Sequence, residues 1–232
     1  MLIQGIQKTS IIDFPNNICV TVFTGGCNFR CPFCHNGDLV LPSDDKTAYP
    51  ESIVLERLKN KKRIIDGVCI TGGEPTLQPD LYDFICRVKE IPTMKVKLDT
   101  NGTNTDILQK LIEDELIDYV AMDIKTTKSK YNEIACMKNF DIGAIEASIE
   151  LLQNFYSDYE FRTTVVEELH SEEDFEEIGE WIQGAPIYFL QAYRHSENVI
   201  NPIFTTPSDE KMHSIMEIAK KYIPRVYIRN ID

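Results

Sequence analysis

Long apolar runs are missing from this 232-residue chain. No stretch approaches the ~20 residues a membrane-spanning helix needs. The opening Met1-Leu2-Ile3-Gln4-Gly5 also lacks the basic region and apolar core of an export signal. A soluble, cytoplasmic protein with no membrane partner is expected. Positive charge is scarce as well: 24 Lys and Arg stand against 37 Asp and Glu, a formal net charge of −13. Nucleic-acid partners are therefore excluded, because contact with phosphates requires a basic footprint. The acidity suits a protein partner without naming one. No Pro/Ser/Gly-rich or low-complexity stretch marks a linker, so one domain over residues 1–232 is the simplest reading.

Cysteine is present in odd number, seven residues, of which Cys19, Cys69, Cys86 and Cys136 are scattered singly among apolar neighbours. Free cysteine packs like a small hydrophobe, so these four are expected as buried thiols in a reducing compartment. The other three stand together in Gly25-Gly26-Cys27-Asn28-Phe29-Arg30-Cys31-Pro32-Phe33-Cys34-His35-Asn36, spaced C-x3-C-x2-C with no fourth ligand in sequence reach. A cubane [4Fe–4S] cluster has four irons, each wanting one external ligand, so Cys27, Cys31 and Cys34 would leave one iron open. A zinc loop is the competing reading, but zinc prefers four closed ligands, and His35 abuts Cys34 too closely to complete a tetrahedron. A disulfide is disfavoured by crowding and by the absence of any export signal.

Short β-branched runs alternate with longer segments of helical period, the pattern of repeated βα units on a parallel sheet. Strands are expected at 19–23, 67–71, 95–98, 119–122, 160–165 and 187–190, with a short terminal strand at 226–228. Helices are expected near 50–63, 79–90, 104–115, 143–156, 171–183 and 207–222. Ser171 reads as a helix cap, Gly184 as a left-handed stop, and Thr206-Pro207 as a cap followed by proline at the first helical position. Six βα units are too few for a closed eight-stranded barrel and fit an α/β fold of the open, partial (β/α)6 barrel kind. Such folds place their chemistry at the C-terminal ends of the strands.

The motifs fall at those ends. The cysteine loop, 25–36, follows the first strand; Thr71-Gly72-Gly73-Glu74-Pro75 closes the second; Leu98-Asp99-Thr100-Asn101-Gly102 closes the third; Ala121-Met122-Asp123-Ile124-Lys125 closes the fourth. Arg162 lies within the otherwise apolar fifth strand, where a charge is costly to bury unpaired, so it should face an anion or carboxylate. The sixth strand runs into Gln191-Ala192-Tyr193-Arg194-His195.

This set resembles the radical S-adenosylmethionine (SAM) superfamily, whose three-cysteine loop holds a [4Fe–4S] cluster with the free iron chelated by SAM. The ending Phe33-Cys34-His35-Asn36 and the strand-end motifs resemble the activating enzymes of glycyl radical enzymes, pyruvate formate-lyase activating enzyme among them. Lys8-Thr9-Ser10-Ile11-Ile12-Asp13-Phe14-Pro15 resembles the lead-in of anaerobic ribonucleoside-triphosphate reductase activating proteins, though an edge hairpin would explain it equally. The resemblance implies a cluster on Cys27, Cys31 and Cys34. It implies SAM contacts from Phe33, His35, Asn36, Gly72, Gly73, Glu74, Asp99, Thr100, Asp123, Lys125, Arg162 and His195, the last one residue out of register. It also leaves room for a monovalent cation shared by the strand-end carboxylates, with Lys125 paired to the SAM carboxylate or near the ribose. The implied activity is one-electron cleavage of SAM, fed by flavodoxin or ferredoxin, and removal of a hydrogen atom from a glycine of a partner enzyme. A radical SAM enzyme acting on a small molecule, such as a pterin-like substrate, and a non-catalytic metal-binding module remain the alternatives.

Overall fold

Alternating β-branched and amphipathic segments become strands and helices in strict sequence. The computed structural model describes residues 1–40, 48–137, 140–154 and 158–230. Its strands are β1 (Ile3–Ser10), β2 (Cys19–Thr24), β3 (Gly67–Gly72), β4 (Lys95–Thr100), β5 (Tyr119–Asp123), β6 (Asp158–Val165), β7 (Tyr188–Ala192) and β8 (Val226–Arg229). The helices are α1 (Gly37–Val40), α2 (Glu51–Lys61), α3 (Leu81–Lys89), α4 (Thr105–Glu113), α5 (Tyr131–Ile134), α6 (Gly143–Gln153), α7 (Glu172–Trp181) and α8 (Asp209–Ala219). Strand order is chain order from β1 to β8, so the sheet is open. Six βα units, β2α2, β3α3, β4α4, β5α6, β6α7 and β7α8, lead to the terminal β8.

The chain divides into two compact units interleaved along the sequence, one built mainly from residues 1–28 and 38–121, the other from 29–37, 122–154 and 159–232. In the first, β2, β3 and β4 pair in parallel, from Cys19↔Gly67 to Thr24↔Gly72 and from Gly67↔Lys95 to Ile70↔Leu98. Residues 67–70 of β3 are all buried, as expected for a parallel strand covered on both faces. Helix α3 buries Leu81, Phe84, Ile85 and Val88, the i, i+3, i+4, i+7 stripe of a helix laid on a sheet. In the second unit β7 lies between β6 and β8, parallel to both.

Three expectations are corrected. Residues 3–10, not expected as a strand, form an antiparallel edge strand on β2, with Ser10 opposite Cys19, so the edge hairpin weighed for Lys8–Pro15 is present. The strand was hard to see because its outer half is polar and exposed. Helix α8 starts at Asp209, two residues after Pro207, because the Ser208 hydroxyl accepts the Lys211 N–H at 3.2 Å and is the cap. Of the four scattered cysteines only Cys19 and Cys69 are buried; Cys86 is half-buried, and Cys136 is exposed with φ 52°. Helix α6 ends at Gln153, and residues 155 and 156 of its expected span lie outside the described residues. Ser171 and Gly184 behave as read: the Ser171 N–H donates to Asp174 at 2.9 Å, and Gly184 has φ +91°.

Candidate active site

In the first unit the end of β3 is fastened to the loop that leaves β2. The Gly73 N–H donates to the Thr24 carbonyl and the Glu74 N–H to the Gly26 carbonyl, both at 2.8 Å. Gly72 has φ +113°, and a Cβ there would strike the Thr24 backbone. A Cβ on Gly73 would fall onto the Gly26 carbonyl oxygen. Only glycine allows this approach, so the Gly-Gly pair is explained by the seating of the loop that presents Cys27.

Glu74 is 1% exposed. Its Oε1 accepts the Thr76 N–H at 3.1 Å and the hydroxyls of Thr76 and Thr100 at 2.6 and 2.8 Å; its Oε2 accepts the Asn101 N–H at 2.6 Å. Burial pushes this carboxyl above the usual carboxylate range, and the four donors work against the shift. Glu74 and Thr100 are thus committed to each other, joining the ends of β3 and β4. The next residue, Asn101, donates from Nδ2 to Asn28 Oδ1 at 2.8 Å and reaches Cys27 Sγ at 4.0 Å. Its Oδ1 accepts the Thr103 N–H and hydroxyl at 3.0 and 2.7 Å. Asp99 pairs with the buried Lys97, which also lies 3.8 Å from Cys69 Sγ.

In the second unit the remainder of the cysteine loop is held by the segment that follows β7. The Ile200 N–H donates to the Cys34 carbonyl at 3.4 Å, the Asn201 N–H to the Pro32 carbonyl at 2.8 Å, and the Gly37 N–H to the Asn198 carbonyl at 3.1 Å. His35 donates from Nε2 to the Arg194 carbonyl at 2.5 Å and lies on the Tyr193 ring, centroids 5.3 Å apart. Burial pushes the Cys34 thiol up, opposed by a hydrogen bond from the Asn36 backbone. Phe33 is buried, edge-on to His170.

The Asp123 carboxylate accepts Arg162 Nε at Oδ1 and Lys125 Nζ at Oδ2, 2.8 and 2.9 Å away. Burial would raise this carboxyl, but the two cations hold it well below the usual range; Lys125, despite its own burial, is held above the usual lysine range by Asp123. Arg162 therefore faces a carboxylate, as its position in an apolar strand requires. His170 Nδ1 accepts the Val166 N–H at 3.1 Å and Nε2 donates to the Lys125 carbonyl at 2.9 Å. Accepting at Nδ1 leaves the ring proton on Nε2, and burial lowers the basicity of the ring. His195 is exposed.

Sequence reasoning missed Asn28, Asn101, His170 and Tyr193. Asn28, Asn101 and Tyr193 lay within quoted motifs without being singled out, whereas His170 carried no local signal. Two buried hydroxyls, Thr126 Oγ1 and Tyr193 Oη, lack a hydrogen-bond partner among the described residues. Among those residues no three His, Cys, Asp or Glu are arranged to hold a single metal ion. The division between units falls between Asn28 and Phe29, so Cys27 belongs with the first and Cys31 and Cys34 with the second. None of the three is in a disulfide, and Cys27 and Cys34 each meet an N–H donor. That donor set suits a sulfur-ligated cluster, whose properties depend on hydrogen bonds to the sulfurs.

The radical SAM superfamily profile matches residues 21–182. The chain belongs to the radical SAM superfamily. A protein of Methanocaldococcus jannaschii, named as a candidate glycyl-radical enzyme activating enzyme, is 33% identical over all of this chain and 97% of its own length. The pyruvate formate-lyase-activating enzyme of Clostridium pasteurianum is 29% identical over 53% of this chain and 52% of its own. Streptococcus suis SuiB bound to S-adenosylmethionine shares the fold with a TM-score of 0.67, at 16% identity over 89% of this chain and 49% of that one. The family implies a [4Fe–4S] cluster and SAM, and membership settles the choice between an enzyme and a non-catalytic metal module. No helix among the described residues is long and apolar enough to cross a membrane.

Proposed function

We propose that this radical SAM enzyme activates a glycyl radical enzyme, with anaerobic ribonucleoside-triphosphate reductase as the partner. The observation that carries the reading is the full-length match to a candidate activating enzyme, 33% identical across 97% of its length. The Lys8–Pro15 segment supports the choice of partner through its resemblance to the lead-in of that subfamily. Cys27, Cys31 and Cys34 would hold the cluster as one radical SAM domain. When bound, the cluster supplies the electron that splits SAM and so generates a hydrogen-abstracting radical.

The protein's own residues position and enclose. Glu74, Thr100 and Asn101 keep the strand ends in register beneath the loop of Cys27. Lys125 and Arg162, gathered on Asp123, offer positive charge for the SAM carboxylate. Backbone groups around Gly72, Gly73, Phe33, His35 and Asn36 would receive the amino group and adenine. The unpartnered Tyr193 hydroxyl, rather than the exposed His195, would meet the nucleoside. An electron donor of the flavodoxin or ferredoxin type would supply reducing equivalents. Seven cysteines with no disulfide among them suit work in a reducing cytoplasm, and the acidic balance gives no footing for nucleic acid.

Anaerobic incubation with SAM, reductant and the host's candidate glycyl radical enzymes should give a glycyl signal in electron paramagnetic resonance. Brown protein with about four irons per chain should become colourless and inactive in the Cys31→Ala variant. Deoxyadenosine formation stimulated by a small metabolite, without any partner protein, would instead favour a small-molecule substrate.

A further inference from the structure

We infer that this protein supplies its own cations at the strand-end carboxylates and requires no bound potassium or sodium there. The inference rests on reading Asp99 and Asp123 as the carboxylates beside SAM, and it departs from the monovalent cation that the family resemblance leaves room for.

Each carboxylate already has its partner. Lys97 precedes Asp99 by two residues on β4 and therefore shares its face. Its side chain is 3% exposed, and its ammonium pairs with Asp99 Oδ1, 3.8 Å from Cys69 Sγ and 6.0 Å from the centre of the Tyr119 ring. A buried ammonium is costly without a counter-charge, and the ion pair with Asp99 supplies one. At Asp123 the two oxygens are divided between two cations, Arg162 on Oδ1 and Lys125 on Oδ2.

A free ion entering at Asp99 or Asp123 would meet like charge at close range and would have to shed water to do so. It would also compete with groups that the fold already holds against their target, whose effective concentration is far above that of a dissolved salt. The residues present therefore do not fit a bound monovalent metal. They fit its replacement by Lys97 in one unit and by Lys125 with Arg162 in the other.

The test uses anaerobically purified protein carrying its cluster. Calorimetric titration with potassium and with thallium(I) should show no saturable binding; saturable uptake of one ion per chain would overturn the inference. Deoxyadenosine formation from SAM and reductant should be the same within about twofold in potassium chloride and in tetramethylammonium chloride, at a matched ionic strength of ~0.1 M. A loss of about tenfold, equivalent to ~1.4 kcal/mol, in the organic salt would overturn it. Removing the tethered charge with Lys97→Met should create a potassium requirement, and a folded variant indifferent to potassium would sink the role given to Lys97. Should that variant fail to fold, the two wild-type measurements decide. If no deoxyadenosine forms in any salt, the proposed function fails, and the calorimetric result still judges the cation inference.

Discussion

Replacing Glu74 by Gln separates two explanations of the Gly-Gly-Glu segment. If the carboxylate is a strut between β3 and β4, the change must destabilise the protein even without ligand. The three donors on Oε1, from Thr76 and Thr100, keep an acceptor but lose its charge. A hydrogen bond to a charged acceptor is worth ~1.5–3 kcal/mol and one to a neutral acceptor ~1 kcal/mol, so about 2 kcal/mol is lost there. The Asn101 N–H, now on Oε2 at 2.6 Å, would face an amide N–H instead and lose a further ~1–3 kcal/mol. Removing a charge that burial disfavours offsets part of this.

The net expectation is a loss of ~2–3 kcal/mol, or a melting temperature lower by ~5–10 °C for a chain of this size. Urea unfolding of the SAM-free protein measures it. A cycle with Thr100→Val should show strong non-additivity, since both side chains serve one bond. If Glu74→Gln weakens SAM binding while stability stays within ~0.5 kcal/mol, the carboxylate faces ligand and the strut is wrong.

Gly73→Ala should cost ~3 kcal/mol by forcing Gly73 away from the Gly26 carbonyl. Gly26→Ala should cost only ~1–2 kcal/mol, because its Cβ meets nothing within 4 Å and only its φ of +88° is unfavourable; equal costs, read by denaturant titration, would refute the close approach. His170 has its pKa lowered by burial, so below about pH 6.5 the unfolded chain takes up a proton that the folded chain refuses, and stability falls as pH drops through that window. His170→Gln, which can still accept from Val166 and donate to Lys125, should flatten that slope relative to wild type; an unchanged slope would show that His170 is not its source.

The parallel architecture was legible because the signal is periodic and repeated. Runs such as Gly67-Val68-Cys69-Ile70 are buried on both faces and leave a continuous apolar record, while α3 writes its contact face as Leu81, Phe84, Ile85 and Val88. The site was legible where chemistry demands rare residues at fixed spacing, as in Cys27, Cys31 and Cys34, and where glycines cluster at a strand end. It was not legible where function depends on partners distant in sequence. Nothing near His170 announces that its ring joins the Val166 amide to the Lys125 carbonyl, 45 residues back. Strand β1 escaped for the opposite reason: an exposed edge strand need not alternate cleanly, and Gln7-Lys8-Thr9 carries no apolar face to read.

The strand-end residues that sequence reasoning assigned to SAM mostly hold one another. Glu74 takes Thr76, Thr100 and Asn101; Asp99 takes Lys97; Asp123 takes Lys125 and Arg162; the His35 ring takes Arg194 and Tyr193. Such mutual satisfaction is what burial demands, because a polar group withdrawn from water without a partner is costly whether or not a ligand will later arrive. A ligand that had to displace these bonds would lose much of its binding energy in doing so. On the proposed function, recognition would fall to groups whose protein bonds leave capacity to spare: the two cations clustered on Asp123, the backbone of the glycine-rich turns, and the buried Tyr193 hydroxyl, which lacks a partner among the described residues. On this argument the rare residue types identify the site, but the side chains that define its chemistry act largely by fixing the backbone that does the binding.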